Sequence, residues 1–184
     1  MDTLAHGLWG GLGGRFLVKK NRRISTIKAF LWGVFPDLLA FTVPIAYLLW
    51  SITFGDMPLG SWPPPGPHVE PSEGLLPFGP LVNNLYNIGH SFFVFGIVFG
   101  FFYLFTKRVQ WEMVGWFLHI LFDIPTHSYQ FFPTPFLWPV SDFKIDGFSW
   151  GVPWFMVLNY SLLILVYALV KLKEKKREEI ISAS

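Results

Sequence analysis

The sequence predicts an all-α integral membrane protein, a bundle of four or five helices with a Pro/Gly-rich extracytoplasmic loop. Three observations carry that expectation. Charged residues make up 14% of the 184 residues, against ~25% in soluble domains, and the mean hydropathy is +0.44. Four long apolar segments run from Ala29 to Phe54, Ser91 to Thr106, Val109 to Ile124 and Val152 to Leu172. Twelve of the fourteen Lys and Arg gather in three clusters that alternate with basic-poor loops, the charge pattern of successive spans. A chain of this length is expected to form one domain, residues 1–184, with a basic tail over residues 171–184. Abundant apolar residues exclude general disorder, and the absence of cysteine excludes a disulfide framework or a thiolate metal site.

The first segment, Leu4 to Val18, is short and glycine-rich. It reads either as a thin span packed against neighbours or as a re-entrant or interfacial helix. Asp2 precedes it and basic residues follow, the reverse of a secretory signal. Ala29 to Phe54 and Val152 to Leu172 reach the ~20 residues that a spanning helix needs. Pro36 is expected to break the first of these locally and open Asp37 to a cavity. Ser91 to Thr106 and Val109 to Ile124 are shorter and are joined by Lys107 and Arg108, as in a tight helical hairpin. The loop from Asp56 to Pro80 has too much Pro and Gly for a continuous helix or a central strand. It is expected as a flap with Trp62 and Phe78 at headgroup level and His68 as a solvated loop histidine. Gly7 with Gly11, Gly10 with Gly14, and Gly96 with Gly100 are spaced for close helix approach. The run KLKEKKREE is expected as a solvated anchor of the last helix, aided by anionic lipid.

The basic clusters are Lys19, Lys20, Arg22, Arg23 and Lys28; Lys107 and Arg108; and Lys171, Lys173, Lys175, Lys176 and Arg177. The positive-inside rule puts all three, and with them the C-terminus, in the cytoplasm, and the basic-poor stretches Gly55 to Gly89 and Thr126 to Gly151 outside.

Ionisable residues inside apolar segments are the informative ones, since each costs ~2.5–3.5 kcal/mol at a helix centre. Here they are His6, Asp37, His90, His119 and Asp123, with His127 just past Pro125. At 1.5 Å per residue, Asp37 stands about 13 Å above Lys28, His119 about 15 Å and Asp123 about 21 Å above Val109. His90 stands about 24 Å above Thr106 and His6 about 18 Å above Val18. Five residues on four segments thus fall in one slab between the midplane and the outer boundary. His119 and Asp123, four apart, share a helix face. No local Lys or Arg neutralises the aspartates. Taken singly, each histidine reads as hydrogen-bonded to a neighbouring helix, and Asp37 as a cap. Together, imidazoles and carboxylates at one level suit a divalent cation, Zn²⁺ or Mn²⁺.

At these residues the sequence resembles a family of small integral membrane proteins described as metal-dependent hydrolases and distantly related to zinc-dependent phospholipase C. The resemblance rests on Met1, Asp2, His6 and Gly10; Pro36 and Asp37; His90 and Ser91; and His119, Asp123 and Thr126, in matching order over almost the whole chain. It implies that His6, Asp37, His90, His119 and Asp123 ligate metal, with His127 standing in for a ligand that is missing. The chain departs from the family pattern at Leu39, where many members have a second Asp, and at Leu85 and Tyr86, where many have His and Arg. A second metal and a phosphate-gripping Arg are therefore not implied.

The leading expectation is a metal-dependent hydrolase in the outer half of the bilayer. A cation so held activates water and polarises a phosphoryl oxygen, with Asp123 or Asp37 as general base. A lipid-like or small phosphoester is the expected substrate and the lipid bilayer the expected partner; nothing points to nucleic acid, and no oligomeric state is implied. The competing class is a non-catalytic membrane protein, either a cation-binding transporter component or a structural subunit.

Overall fold

The structure, a computed structural model, describes residues 1–16, 24–55, 78–130 and 132–182. Among these it is all-helical, with six α-helices and one 3₁₀ turn: α1 (Thr3–Phe16), α2 (Thr26–Phe54), α3 (Gly79–Gly89), α4 (Phe92–Thr106), the turn Trp111–Met113, α5 (Val114–Thr126) and α6 (Pro153–Ser182). The expected loop flap with Trp62 and His68 lies outside the described residues, as do Lys19, Lys20, Arg22 and Arg23.

Among the described residues, α2 and α6 are the two helices long and apolar enough to cross a membrane. α3 and α4 meet the same test as a pair, bent by 61° at the two-residue break His90–Ser91. α3 is the helix the sequence does not announce, and it takes the number beyond four or five. Phe78 enters it from a left-handed conformation, φ 63°, with Pro80 in the first turn, where proline's missing N–H is no loss. Ser91 then starts α4 by accepting from the N–H groups of Phe93 and Val94 at 3.1 and 3.3 Å, as a helix cap does.

α2 does not break at Pro36: the helix runs continuously through Pro36 and Pro44. Pro36 is buried against the backbone of Gly89, and such packing keeps a proline-containing turn helical in apolar surroundings. α5 begins at Val114 rather than Val109, because the 3₁₀ turn takes up the preceding residues. The basic tail extends α6 as helix to Ser182.

α1 is buried over much of its surface, with Leu4 and Leu8 exposed. It packs antiparallel to α2, with Gly7 against Phe30 and Val34, and Gly14 against Ala29. On its other side Met1, Ala5 and Leu12 meet Leu163 of α6. Trp9 Nε1 donates to Asn159 Oδ1 at 2.9 Å and the Tyr160 hydroxyl to Asp2 Oδ1 at 2.9 Å. Trp116 of α5 stacks on Trp32 of α2, centroids 5.7 Å apart, and donates to the carbonyl of Gly89 at 2.6 Å. α4, by contrast, buries no residue. Nothing described stands within 4 Å of a Cβ built on Gly96 or Gly100, so this pair makes no close approach. One side of this phenylalanine-coated helix packs on α5 and α2 through Phe92, Phe95, Phe99 and Phe102, and the other side is exposed.

The basic ends share one side. Ser25 N–H donates to Glu112 at 3.3 Å, Gly14 meets Ala29, and Arg15 reaches Glu174 at 3.9 Å. The start of α2, the Lys107–Arg108 turn and the charged part of α6 therefore lie together.

Candidate metal centre

The site is built on a crossing of three glycines. A Cβ on Gly10 of α1 would stand 2.7 Å from the carbonyl oxygen of Ala29, 3.0 Å from Cα of Gly115 and 3.3 Å from Cα of Gly33. Only glycine lets α1, α2 and α5 touch backbone to backbone here. One helical turn from each glycine sits an ionisable residue: His6 from Gly10, Asp37 from Gly33 and His119 from Gly115. α1 runs against the other two helices, so all three side chains leave the crossing in the same direction. Asp123 lies one further turn along α5, and the α3–α4 break delivers His90 from the side.

The donor atoms of Asp37, His90, His119 and Asp123 all lie within 4.8 Å of one another. His119 Nε2 is 3.0 Å from His90 Nε2, 3.0 Å from Asp123 Oδ2 and 3.5 Å from Asp37 Oδ1. His90 Nε2 is 3.4 Å from Asp123 Oδ2 and 3.7 Å from Asp37 Oδ1. Four donors placed tetrahedrally at the ~2.1 Å bond lengths of zinc would be ~3.4 Å apart, in the middle of this range. The side chains of His90, His119 and Asp123 are fully buried, and that of Asp37 is 11% exposed.

The proton positions sharpen the case for a cation. His119 Nδ1 lies 2.6 Å from the carbonyl of Gly33, and His90 Nδ1 2.9 Å from the carbonyl of Tyr86. A carbonyl can only accept, so both Nδ1 atoms carry hydrogen and, in the neutral rings, both Nε2 atoms present lone pairs to each other. Asp123 Oδ2, aimed into the same space, is buried and accepts no hydrogen bond among the described residues. Lone pairs and a bare carboxylate oxygen at 3 Å repel unless a proton or a metal cation lies between them. The backbone carbonyls are the kind of partner that orients metal-binding imidazoles. The four side chains can therefore hold a metal ion.

His6 and His127 lie on the other oxygen of the same carboxylate, outside the four-donor group. His6 Nε2 is 2.8 Å and His127 Nε2 3.3 Å from Asp123 Oδ1, and the His6 ring stacks on His119 at 3.6 Å. The amino group of Met1 shares that oxygen at 2.5 Å and reaches Thr126 Oγ1 at 3.2 Å. Oδ1 of Asp123 is thus engaged by three groups, and Oδ2 is left facing the four-donor space. Asp37 keeps Oδ2 for a hydrogen bond from Thr3 Oγ1 at 2.7 Å. Tyr86 stacks on His90 at 3.7 Å and is itself fixed by its hydroxyl to the carbonyl of Phe132 at 2.8 Å.

All five residues singled out within apolar segments come together, and His127 joins them. Met1, Thr3, Tyr86 and the carbonyl of Gly33 carry no signal in the sequence that would mark them, apart from the places of Met1 and Tyr86 in the family pattern. Among the described residues no Lys or Arg pairs with either aspartate; Arg15 is at the far end of α1, beside Glu174. Comparison with family models, with curated proteins and with solved structures returns no match.

Proposed function

We propose that this chain is a multi-pass membrane protein and a metal-dependent hydrolase. In this reading Asp37, His90, His119 and Asp123 hold one divalent cation, Zn²⁺ first and Mn²⁺ as the alternative, and the reaction is hydrolysis of a lipid-like phosphoester in the outer half of the bilayer. The basic turns and the C-terminus face the cytoplasm. The observation that carries the reading is the pair of imidazoles whose Nδ1 hydrogens are tied to backbone carbonyls, leaving two facing lone pairs beside a buried carboxylate. The gathering of the basic ends on one side supports the topology, because the site then lies toward the opposite face. The family resemblance supports the same chemistry.

When bound, such a cation supplies Lewis acidity toward a phosphoryl oxygen and makes water nucleophilic near neutral pH. The residues divide the remaining work. His90 and His119 are held rigid by Tyr86 and Gly33. Asp123 gives Oδ1 to His6, His127 and the Met1 amino group and would give Oδ2 to the cation. Asp37 is the one ligand with exposure, and in this reading it serves as general base, taking the proton of attacking water on a carboxylate lone pair used neither by the cation nor by Thr3 Oγ1. Burial of the other three excludes bulk solvent, which strengthens every interaction in the site.

The test is release of headgroup or inorganic phosphate from mixed micelles by purified protein, with and without chelator. Chelation should abolish release, Zn²⁺ should restore it, and His119→Ala should lack it. Activity that survives both chelation and His119→Ala excludes the mechanism. Metal-loaded protein inert on every phosphoester and acyl ester tried favours a non-catalytic cation-binding protein.

A further inference from the structure

A cavity of about 380 Å³ lies between α1, the first turns of α2 and α6, and includes none of the four proposed metal ligands. Leu8 and Leu12 line it from α1, and Leu163 and Ile164 from α6; Arg15 and Tyr167 stand at one end. α1 and α6 run side by side in the same direction, because Trp9 meets Asn159 while Arg15 meets Tyr167 and Glu174. Arg15 is therefore on the basic side of the bundle. Leu8, seven residues back along α1, lies about 10 Å deeper.

We propose that this groove binds an anionic phospholipid of the leaflet on the basic side, cytoplasmic in the proposed topology, with its phosphate at Arg15 and Lys171 and one acyl chain running past Leu12 and Ile164 toward Leu8. Charge selects the head. Arg15 is the one charged residue that lines the cavity, and its Nη1 is buried with no hydrogen bond among the described residues. Glu174 Oε2 stands 3.9 Å away, and Lys171 Nζ is 3.7 Å from the same oxygen. Both cations also lie over the ring of Tyr167, 5.4 and 5.9 Å from its centroid. One carboxylate between two cations leaves a positive charge uncompensated. Glu174, on the exposed charged part of α6, can turn out to water and leave its place to a phosphate. The direction of the groove agrees with this occupant. A lipid on the basic side has its phosphate at the surface and its chains toward the midplane, and the cavity runs the same way, inward from Arg15. Its length of about 10 Å covers most of the ~15 Å that one leaflet's hydrocarbon spans. Leu8 and Ile164 are exposed, so a chain enters sideways from the bilayer. Lipid is as apolar as the groove, so the head supplies the preference and the groove fixes where the chain lies. This site shares no residue with the metal centre and does not depend on the hydrolase reading.

The probe is phosphatidylglycerol with a diazirine midway along one acyl chain, photolysed with the full-length protein in phosphatidylcholine nanodiscs. Crosslinks should concentrate in residues 8–12 and 160–164, and a matched phosphatidylcholine probe should label them about fivefold less. Fivefold corresponds to ~1 kcal/mol, the scale of one basic residue near an anionic leaflet. Arg15→Gln should abolish that preference, and Glu174→Gln should increase it. Both substitutions break the Arg15–Glu174 pair, so a pair with only a structural role would move labelling in the same direction in both. Ile164→Trp, at an exposed position, fills the groove and should cut labelling; Leu165→Trp, the exposed neighbour that does not line the cavity, should leave it unchanged. Equal labelling by the two probes, changes of the same sign in Arg15→Gln and Glu174→Gln, or indifference to Ile164→Trp would overturn the inference. Inorganic phosphate that competes as well as unlabelled phosphatidylglycerol would overturn it too, because the site would then take a free anion and the groove would have no part in binding.

Discussion

Gly33→Ala is the substitution that probes the three-glycine crossing most sharply. An added Cβ would stand 2.5 Å from the carbonyl oxygen of His6 and 3.1 Å from Cα of Gly7. Both are backbone atoms and cannot swing aside, so α1 and α2 must part by about 1 Å. Overpacking of this kind costs ~1–3 kcal/mol. Alanine's better helix propensity offsets about 1 kcal/mol of that, leaving a net loss of ~0–2 kcal/mol. The larger effect should fall on the metal. Separation of the helices moves His6 from Asp123 and shifts the Gly33 carbonyl that holds His119 Nδ1 at 2.6 Å. Disturbing partners of this kind weakens metal binding about 10- to 100-fold. Zinc titration against a chromogenic chelator, beside thermal unfolding in the same detergent, reads both quantities. Gly96→Ala is the matched control, since its Cβ meets nothing described within 4 Å; it should bind zinc as the parent does and unfold no earlier. Parental zinc affinity in Gly33→Ala, or equal losses in both variants, would refute the crossing as the feature that sets the site.

Asp123→Asn keeps size but removes the charge facing His6, His90, His119 and His127; metal content measured after purification should fall at least about tenfold, while Asp142→Asn, on an exposed loop, should leave it unchanged. Trp9→Phe removes the bond to Asn159, which is 4% exposed, and should lower stability in thermal unfolding by about 1–3 kcal/mol without altering zinc content. In intact cells, a membrane-impermeant thiol reagent should label Lys144→Cys from outside and not Lys175→Cys; the reverse pattern would invert the proposed topology.

The chemistry of the candidate centre was legible in the sequence because burial of ionisable groups in apolar segments is expensive and therefore conspicuous. A rise of 1.5 Å per residue was enough to put His6, Asp37, His90, His119 and Asp123 at one level. What could not be read is how the chain arranges them. The Nδ1 contacts of His119 and His90 are to backbone carbonyls, which every residue has, so no residue type marks Gly33 or Tyr86 as their partners. α3 is hard to read because its asparagines, Asn83, Asn84 and Asn87, dilute the apolar pattern of a short helix that is held by tertiary contacts with α2, Phe132 and Trp116. Pro36 misled in the other direction: local propensity predicts a break, and contact with Gly89 overrides it. The glycine spacing carried the same ambiguity. Gly10 with Gly14 and Gly96 with Gly100 look alike in sequence, yet one pair faces helices and the other open space.

Elemental analysis of gently purified protein, before and after incubation with Zn²⁺ or Mn²⁺, tests the central claim most directly. With Asp37, His90, His119 and Asp123 forming one centre, the expected content is close to one ion per chain, lost together in His90→Ala and His119→Ala. Less than ~0.2 ion per chain with no uptake on adding either metal, or parental content in both alanine variants, would contradict it.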